Sequence, residues 1–135
     1  ITYLFAENRL ILHKGAEANL LAAMPHPDLA RAREILDSLG IQGDAGLRPV
    51  KELSFGMARR VAIARAIAHD GGVMLYDEPV YGLDEKNRAV VLSRLKEHLR
   101  GKTGVLVTHE ADVAQALCQR VIAMEPLGKG LDSSL

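Results

Sequence analysis

A chain of 135 residues with 48% hydrophobic and 25% charged residues carries enough apolar material for one core, which excludes a disordered chain. Its 17 Lys plus Arg balance 17 Asp plus Glu, so no global basic field gathers nucleic acid or acidic lipid, and no nucleic-acid partner is expected. One cysteine, Cys118, excludes an internal disulfide framework and a multi-cysteine zinc site, and no apolar run approaches the ~20 residues that span a bilayer.

Ile1 to Phe5 reads as a strand, without the basic start and apolar middle of a leader, which suggests a chain cut from a longer one. Ala16 to Met24 is expected to be helical. Pro27 and Asp28 open a second helix with Leu29, Ile35, Leu36 and Leu39 at helical spacing, and Gly40 supplies its left-handed stop. The stretch from Gly40 to Pro49 reads as a loop. Ser54 caps a long helix to about His69, with Met57, Val61, Ala64 and Ala68 on one face, Arg59, Arg60 and Arg65 mostly elsewhere, and Gly71-Gly72 as its end. Val73 to Tyr76 is a buried-strand candidate. A helix from Asp84 follows, with Val91, Leu95 and Leu99 at four-residue steps, then a strand at Val105 to Thr108. A helix at Ala111 to Leu117 and a strand at Val121 to Met124 complete the pattern, leaving Cys118 as a small hydrophobe near a helix end. Alternating strands and helices predict an α/β fold with a parallel sheet, whose ligand crevice lies at the carboxyl ends of the strands.

That rule places Asp77-Glu78 and Thr108-His109 on one rim of the sheet, roughly 5–10 Å apart if their strands lie next to each other or one apart. Two carboxylates and an imidazole around one cavity suit nucleotide hydrolysis: one carboxylate holds magnesium, the other serves an attacking water, and the histidine bonds a phosphoryl oxygen. Taken singly, each has a plainer reading: Asp-Glu-Pro as a turn, and His109 as a helix-start residue.

The order Leu53-Ser54-Phe55-Gly56-Met57, a basic helix, Tyr76-Asp77-Glu78-Pro79, Gly82-Leu83-Asp84 and Thr108-His109 resembles that of the ATP-binding cassette (ABC) ATPases over most of the chain. The resemblance implies ATP and Mg2+ as cofactors. It makes Leu53–Met57 the signature motif, in which Ser54 and Gly56 grip the terminal phosphate of a nucleotide held by a second ATPase subunit. A hydroxyl and unhindered backbone at an exposed helix start suit an anion in any case. By the same resemblance Asp77 is the magnesium-organising Walker B aspartate, Glu78 the general base, Asp84 the D-loop aspartate that communicates across the dimer, and His109 the switch histidine. Asp84 also reads as a helix cap, and the two roles are compatible.

Phe5-Ala6-Glu7-Asn8-Arg9-Leu10 looks like the Q-loop region, with Ala6 where glutamine is expected. Phe55 and Met57 replace the middle glycine and the glutamine of the signature, and Tyr81 replaces a small D-loop residue. The glycine-rich loop GxxxxGK[ST] does not occur in the chain. Gly101-Lys102-Thr103 imitates its end, but Lys96 stands where the first glycine belongs, and a helix-to-strand turn is the better reading.

The expected organisation is a Q-loop-like strand and loop over 1–10, a helical subdomain over 11–70, and the carboxyl-terminal half of a P-loop NTPase-type core over 71–135. An open sheet edge or face should favour self-association. By resemblance, the parent is the ATPase subunit of an ABC transporter at the cytoplasmic face of the membrane. It would dock a permease helix in a groove that residues such as Leu20, Leu21 and Met24 could line, although core packing is the commoner fate of such residues, for import of a small anion of the nitrate or sulfonate type. This chain alone is expected to be inactive. Two other readings are a chromosome-maintenance or DNA-repair ABC ATPase lobe and a non-catalytic ABC module. The segment of some forty residues without sustained heptads before the signature speaks against a coiled-coil arm.

Overall fold

The computed structural model describes residues 1–124. Three short parallel strands, β1 (Thr2–Leu4), β2 (Val73–Asp77) and β3 (Thr103–Val107), form a sheet in the order β1-β2-β3. Thr2 pairs with Met74 and Met74 with Gly104, while Asp77 pairs with Val107 at the other end. Side chains alternate between faces. Thr2, Leu4, Met74 and Tyr76 are buried, whereas Tyr3, Val105 and Val107 stand 45%, 54% and 59% exposed. The open apolar face expected from the sequence is therefore present, and among the described residues β1 and β3 each pair on one side only.

Between β1 and β2 lie α1 (Ala16–Leu21), α2 (Leu29–Ser38), α3 (Asp44–Leu47), a 3-10 turn (Val50–Glu52) and α4 (Phe55–His69). The carboxylate of Asp28 accepts from the Arg31 N–H at 3.1 Å and starts α2. Gly40 ends it at φ +71°, with Gly40 N–H donating to Asp37 O and Ile41 N–H to Leu36 O, a Schellman closure. Between β2 and β3 runs α5 (Glu85–His98), and α6 (Ala111–Leu117) follows β3. Gly101, at φ +72°, makes Gly101-Lys102-Thr103 a helix-to-strand turn, and β3 begins at Thr103 rather than Val105. No helix among the described residues is long and apolar enough to cross a membrane.

Other expectations are corrected. The loop from Gly40 to Pro49 contains α3, whose Leu47 carbonyl approaches α1 so closely that a Cβ on Gly15 would lie 2.6 Å from it. The first helix stops at Leu21, short of Met24. Arg59 and Arg60, off the face of Met57, Val61, Ala64 and Ala68, are buried as well: α4 packs against α1, α2 and β1, and these two arginines are 0% and 9% exposed. Asp70, at φ +53°, rather than Gly71-Gly72, ends α4. Gly71 is needed for another reason, because a Cβ there would sit 2.7 Å from Thr2 Oγ1, which accepts its N–H at 3.0 Å. Val121–Met124 is not a strand; it pairs with none of the three strands, and Val121, Ile122 and Met124 are exposed.

The core joins Leu20, Leu36, Leu39 and Ile63 to Met74, Val91, Leu95 and Val113. Leu20 and Met24 belong to this core instead of lining a groove, since α1 lies directly on α4; Leu21 is half-buried. Fully buried Asn19 on α1 accepts the Ile11 N–H at 2.8 Å and donates to the carbonyls of Ile11, Lys14 and Gly15, which fixes the loop before its own helix.

Candidate active site

The rim of the sheet is built by carrying the β2–β3 ladder one residue past its last pair. The Glu78 N–H donates to Val107 O at 2.9 Å, while Glu78 itself adopts φ +45°. A left-handed conformation costs a residue with a Cβ about 1–2 kcal/mol, so surrounding contacts must hold it. Its carboxylate reaches over the end of β3. Oε2 accepts from Thr108 Oγ1 at 3.1 Å, and Oε1 accepts from the His109 N–H at 3.0 Å and from His109 Nδ1 at 2.7 Å.

Burial pushes the Glu78 carboxyl up, but the hydrogen bonds from His109 and Thr108 outweigh it and hold the group below its usual range. The same Glu78 bond raises the His109 imidazole above its ordinary value. With Glu78 ionised, Nδ1 must carry the proton in this pair, which leaves Nε2 of the largely exposed ring for a further partner. Glu78, His109 and Glu110 bring one donor atom each within 4.8 Å of one another. Glu110 is engaged elsewhere: Arg88 on α5 bonds both Glu110 and Asp112 and bolts α5 to the start of α6. Asp77, the expected metal ligand, ends β2 half-buried, and among the described residues its carboxylate takes no hydrogen bond. Asp77 is not among the three residues whose donor atoms cluster at the rim, and its carboxylate is an uncommitted hard oxygen donor of the kind that suits a magnesium ion.

The residues expected to bind nucleotide lie at two helix starts. Ser54 caps α4, its hydroxyl accepting the Met57 N–H at 3.3 Å, and is exposed. Asp84 caps α5 through the Asn87 N–H at 2.9 Å and side-chain amide at 2.6 Å, and these bonds hold its carboxyl below the usual range. The two starts meet, since a Cβ on Gly56 would lie 3.8 Å from Leu83 Cδ2 and 4.0 Å from Gly82 O. Phe55 covers Gly82, at φ +74°, so tightly that a Cβ there would fall 2.3 Å from the ring. Its ring also meets Tyr81 edge-to-face, with centroids 6.4 Å apart. The bulk of Phe55 is thus directed at the turn before α5.

Sequence reasoning missed the arginines of α4 that tie surrounding main chain together, Arg59 among them holding the rim from behind. Arg59 donates to carbonyls of both strand-end loops, Arg65 to Asn8 O and Arg9 O, and Arg60 to Leu39 O and Gly40 O. Burial pulls the Arg59 guanidinium below its ordinary value, and Asp77 and Glu78 pull it back. A signal was present: Val61, Ala62, Ile63, Ala64, Ala66 and Ile67 are apolar around the whole helix, which leaves no face for water.

The sequence pattern of the ABC transporter family matches residues 1–81. The chain belongs to that family. It is 40% identical over 133 residues to the macrolide export ATP-binding/permease protein MacB of Rhodospirillum rubrum, covering 92% of this chain and 20% of that protein. It is 39% identical over 109 residues to the phosphonates import ATP-binding protein PhnC of Ruegeria pomeroyi, covering 79% of this chain and 40% of that protein. The methionine import ATP-binding protein MetN of Streptococcus pyogenes is 34% identical over 133 residues, covering 93% and 37% respectively. The chain therefore spans less than half the length of each of these relatives. Among solved structures, the ATP-binding cassette MJ0796, in a dimeric post-hydrolysis state bound to ADP and Pi, matches with a TM-score of 0.75 and 31% identity, covering 85% of this chain and 54% of that one. The fold is accordingly part of a P-loop NTPase-type ABC cassette.

Proposed function

We propose that the complete protein is the ATP-hydrolysing subunit of an ABC transporter, and that this chain supplies its general base, its switch histidine and the half-site offered to a second subunit. The observation that carries this reading is the convergence of Thr108 and His109 on the Glu78 carboxylate at the sheet rim. Glu78 is the base: ionised at neutral pH, it takes the proton of the water that attacks the terminal phosphorus, while the bond from that phosphorus to the bridging oxygen breaks and ADP leaves. Thr108 and His109 orient this carboxylate, and His109 turns Nε2 toward the phosphoryl oxygens. Asp77 holds Mg2+, which when bound neutralises phosphate charge and screens the leaving group. Ser54 and Gly56 present the start of α4 to the terminal phosphate of a nucleotide on the opposite subunit, and Asp84 lies on the same surface as the contact across the dimer.

The same reading divides the chain into 1–10, 11–70 and 71–135 and puts the protein on the cytoplasmic face of the membrane against a permease. The solute is a small anion of the nitrate or sulfonate class, near in chemistry to the phosphonates named for one relative. Without a GxxxxGK[ST] loop in its sequence, this chain alone does not turn over ATP. Steady-state ATP hydrolysis tests the proposal: the complete protein should be active and its Glu78→Gln variant nearly inactive. Equal turnover by the two removes Glu78 as the base, and turnover by this chain alone removes the claim of inactivity.

A further inference from the structure

We infer that Arg59 is a positioning residue that couples the loop after β1 to the loop carrying Glu78, so that a displacement of Phe5–Asn8 is delivered to the candidate base through a single guanidinium. This rests on Glu78 being the base. Arg59 is fully buried, one turn into α4, and its charged head lies between the two strand ends. Nη1 donates to Phe5 O at 2.6 Å, Ala6 O at 3.1 Å and the Asn8 side-chain oxygen at 3.4 Å. On the other side, Nη2 donates to Asp77 O at 3.0 Å and Glu78 O at 2.7 Å, and Nε to Pro79 O at 3.2 Å.

A guanidinium has five N–H groups in one rigid plane, so these contacts occupy the whole fork. One prong serves the first loop and the rest serve the second. If the loops separated, the cation would keep a donor unpaired in a water-free site, which is costlier than moving both loops together. Apart from the Asn8 side-chain oxygen its partners are main-chain carbonyls, and among the described residues Arg59 forms no ion pair with a carboxylate. The mechanical consequence falls on Glu78. Its N–H is fixed to Val107 and its carbonyl to Arg59, so both peptide groups flanking the φ +45° turn are held, and the carboxylate direction follows from them. Exposed Ala6 has no side chain with which to make this link itself; only its carbonyl takes part.

A double-mutant cycle on this chain tests the coupling without nucleotide. Asn8→Asp places a carboxylate against Nη1 with little change of shape. It should alter the amide hydrogen-exchange rate of Glu78, read by NMR, by about threefold or more in the Arg59 chain, and the effect should vanish in the Arg59→Gln background. Arg59→Lys should not restore it, because an ammonium lacks the two-sided fork. An equal Asn8→Asp effect with and without Arg59, or full rescue by lysine, overturns the inference. Should the Arg59 variants fail to fold, Asn8→Asp alone decides: its Arg59 side-chain N–H signals and the Glu78 amide must both move, and movement of the first without the second overturns the coupling. Intact coupling together with undiminished hydrolysis in Glu78→Gln would instead sink the base assignment and leave the link standing.

Discussion

The interior around α4 and the rim at the ends of β2 and β3 both hold polar side chains, but they satisfy them in opposite ways. Inside, Asn19, Arg59 and Arg60 bond chiefly to main-chain groups, partners that cannot titrate, rotate away or be replaced. At the rim, Glu78, Thr108 and His109 bond one another, and Glu78 stands in a backbone conformation that its side chain does not favour. Polar groups tied to the main chain fix a shape; polar groups tied to each other exchange protons and can release a partner to a ligand. The contrast teaches where chemistry is available in a small α/β unit, and substitutions in the two regions should separate activity from stability.

The largest effect is expected at the rim. Glu78→Gln keeps the shape of the side chain and removes the charge, so hydrolysis by the complete protein should fall by about 10²–10⁴-fold, the usual reach of a general base. Its stability in denaturant should change by less than about 1 kcal/mol, as for other partly exposed hydrogen-bonded groups. A large loss of stability with turnover intact would show that the rim is built like the interior.

A site that mixes the two kinds of partner should respond to pH. His98 on α5 is buried beside Lys102 and Asp70, and burial first, then the Lys102 charge, pulls its imidazole down to about 4. Between the ordinary value of 6.5 and about 4, the unfolded chain binds a proton that the folded chain does not. Stability therefore falls as pH drops through that window, by at most about 3 kcal/mol. Below the ordinary carboxylate range, protonation of Asp70, held low mainly by its Lys102 bond, removes a further contribution. Urea midpoints measured from pH 7 to pH 4 should decline steeply, and His98→Gln should flatten the decline. A flat profile in the unsubstituted chain would show that His98 is as open to solvent as His109.

Within the interior, Asn19→Ala should cost about 2 kcal/mol, because the Ile11 N–H and several carbonyls lose a buried partner at once. The measurement is a urea or thermal midpoint. Hydrolysis by the complete protein, assayed well below that midpoint, should be unaffected, the reverse of the Glu78 result.

Much of this architecture was legible from local pattern. Four-residue runs after a glycine, Val73–Tyr76 and Val105–Thr108, locate β2 and β3, and the strand-end rule brings together Glu78 and His109, which meet at 2.7 Å. What stayed hidden depends on contacts remote in sequence. Periodicity sets Arg59 and Arg60 apart from the apolar face of α4 but does not reveal their burial, because their carbonyl partners lie 18 to 54 residues away along the chain. The seat of Phe55 on Gly82 is equally non-local. Val121–Met124 has the composition of a strand, and composition carries no information about whether the path of the chain brings it alongside an edge.

The smallest effect gives the sharpest form of the comparison, because Asp28 and Ser54 are exposed helix caps of the same design and only Ser54 belongs to the proposed nucleotide site. Asp28 caps α2 at 3.1 Å and Ser54 caps α4 at 3.3 Å, each by accepting a backbone N–H three residues on. Replacing either with alanine strips one partner from a helix start, so each should cost about 1 kcal/mol in a denaturant titration. The cost should be the same kind of number for both, since nothing in a cap depends on what the helix faces. ATP turnover by the complete protein should divide them: Asp28→Ala leaves it unchanged, and Ser54→Ala lowers it, because only that hydroxyl stands where a second subunit's phosphate is proposed to bind. Equal turnover in the two variants would reduce Ser54 to a cap and assign the anion site to the backbone of Gly56 alone.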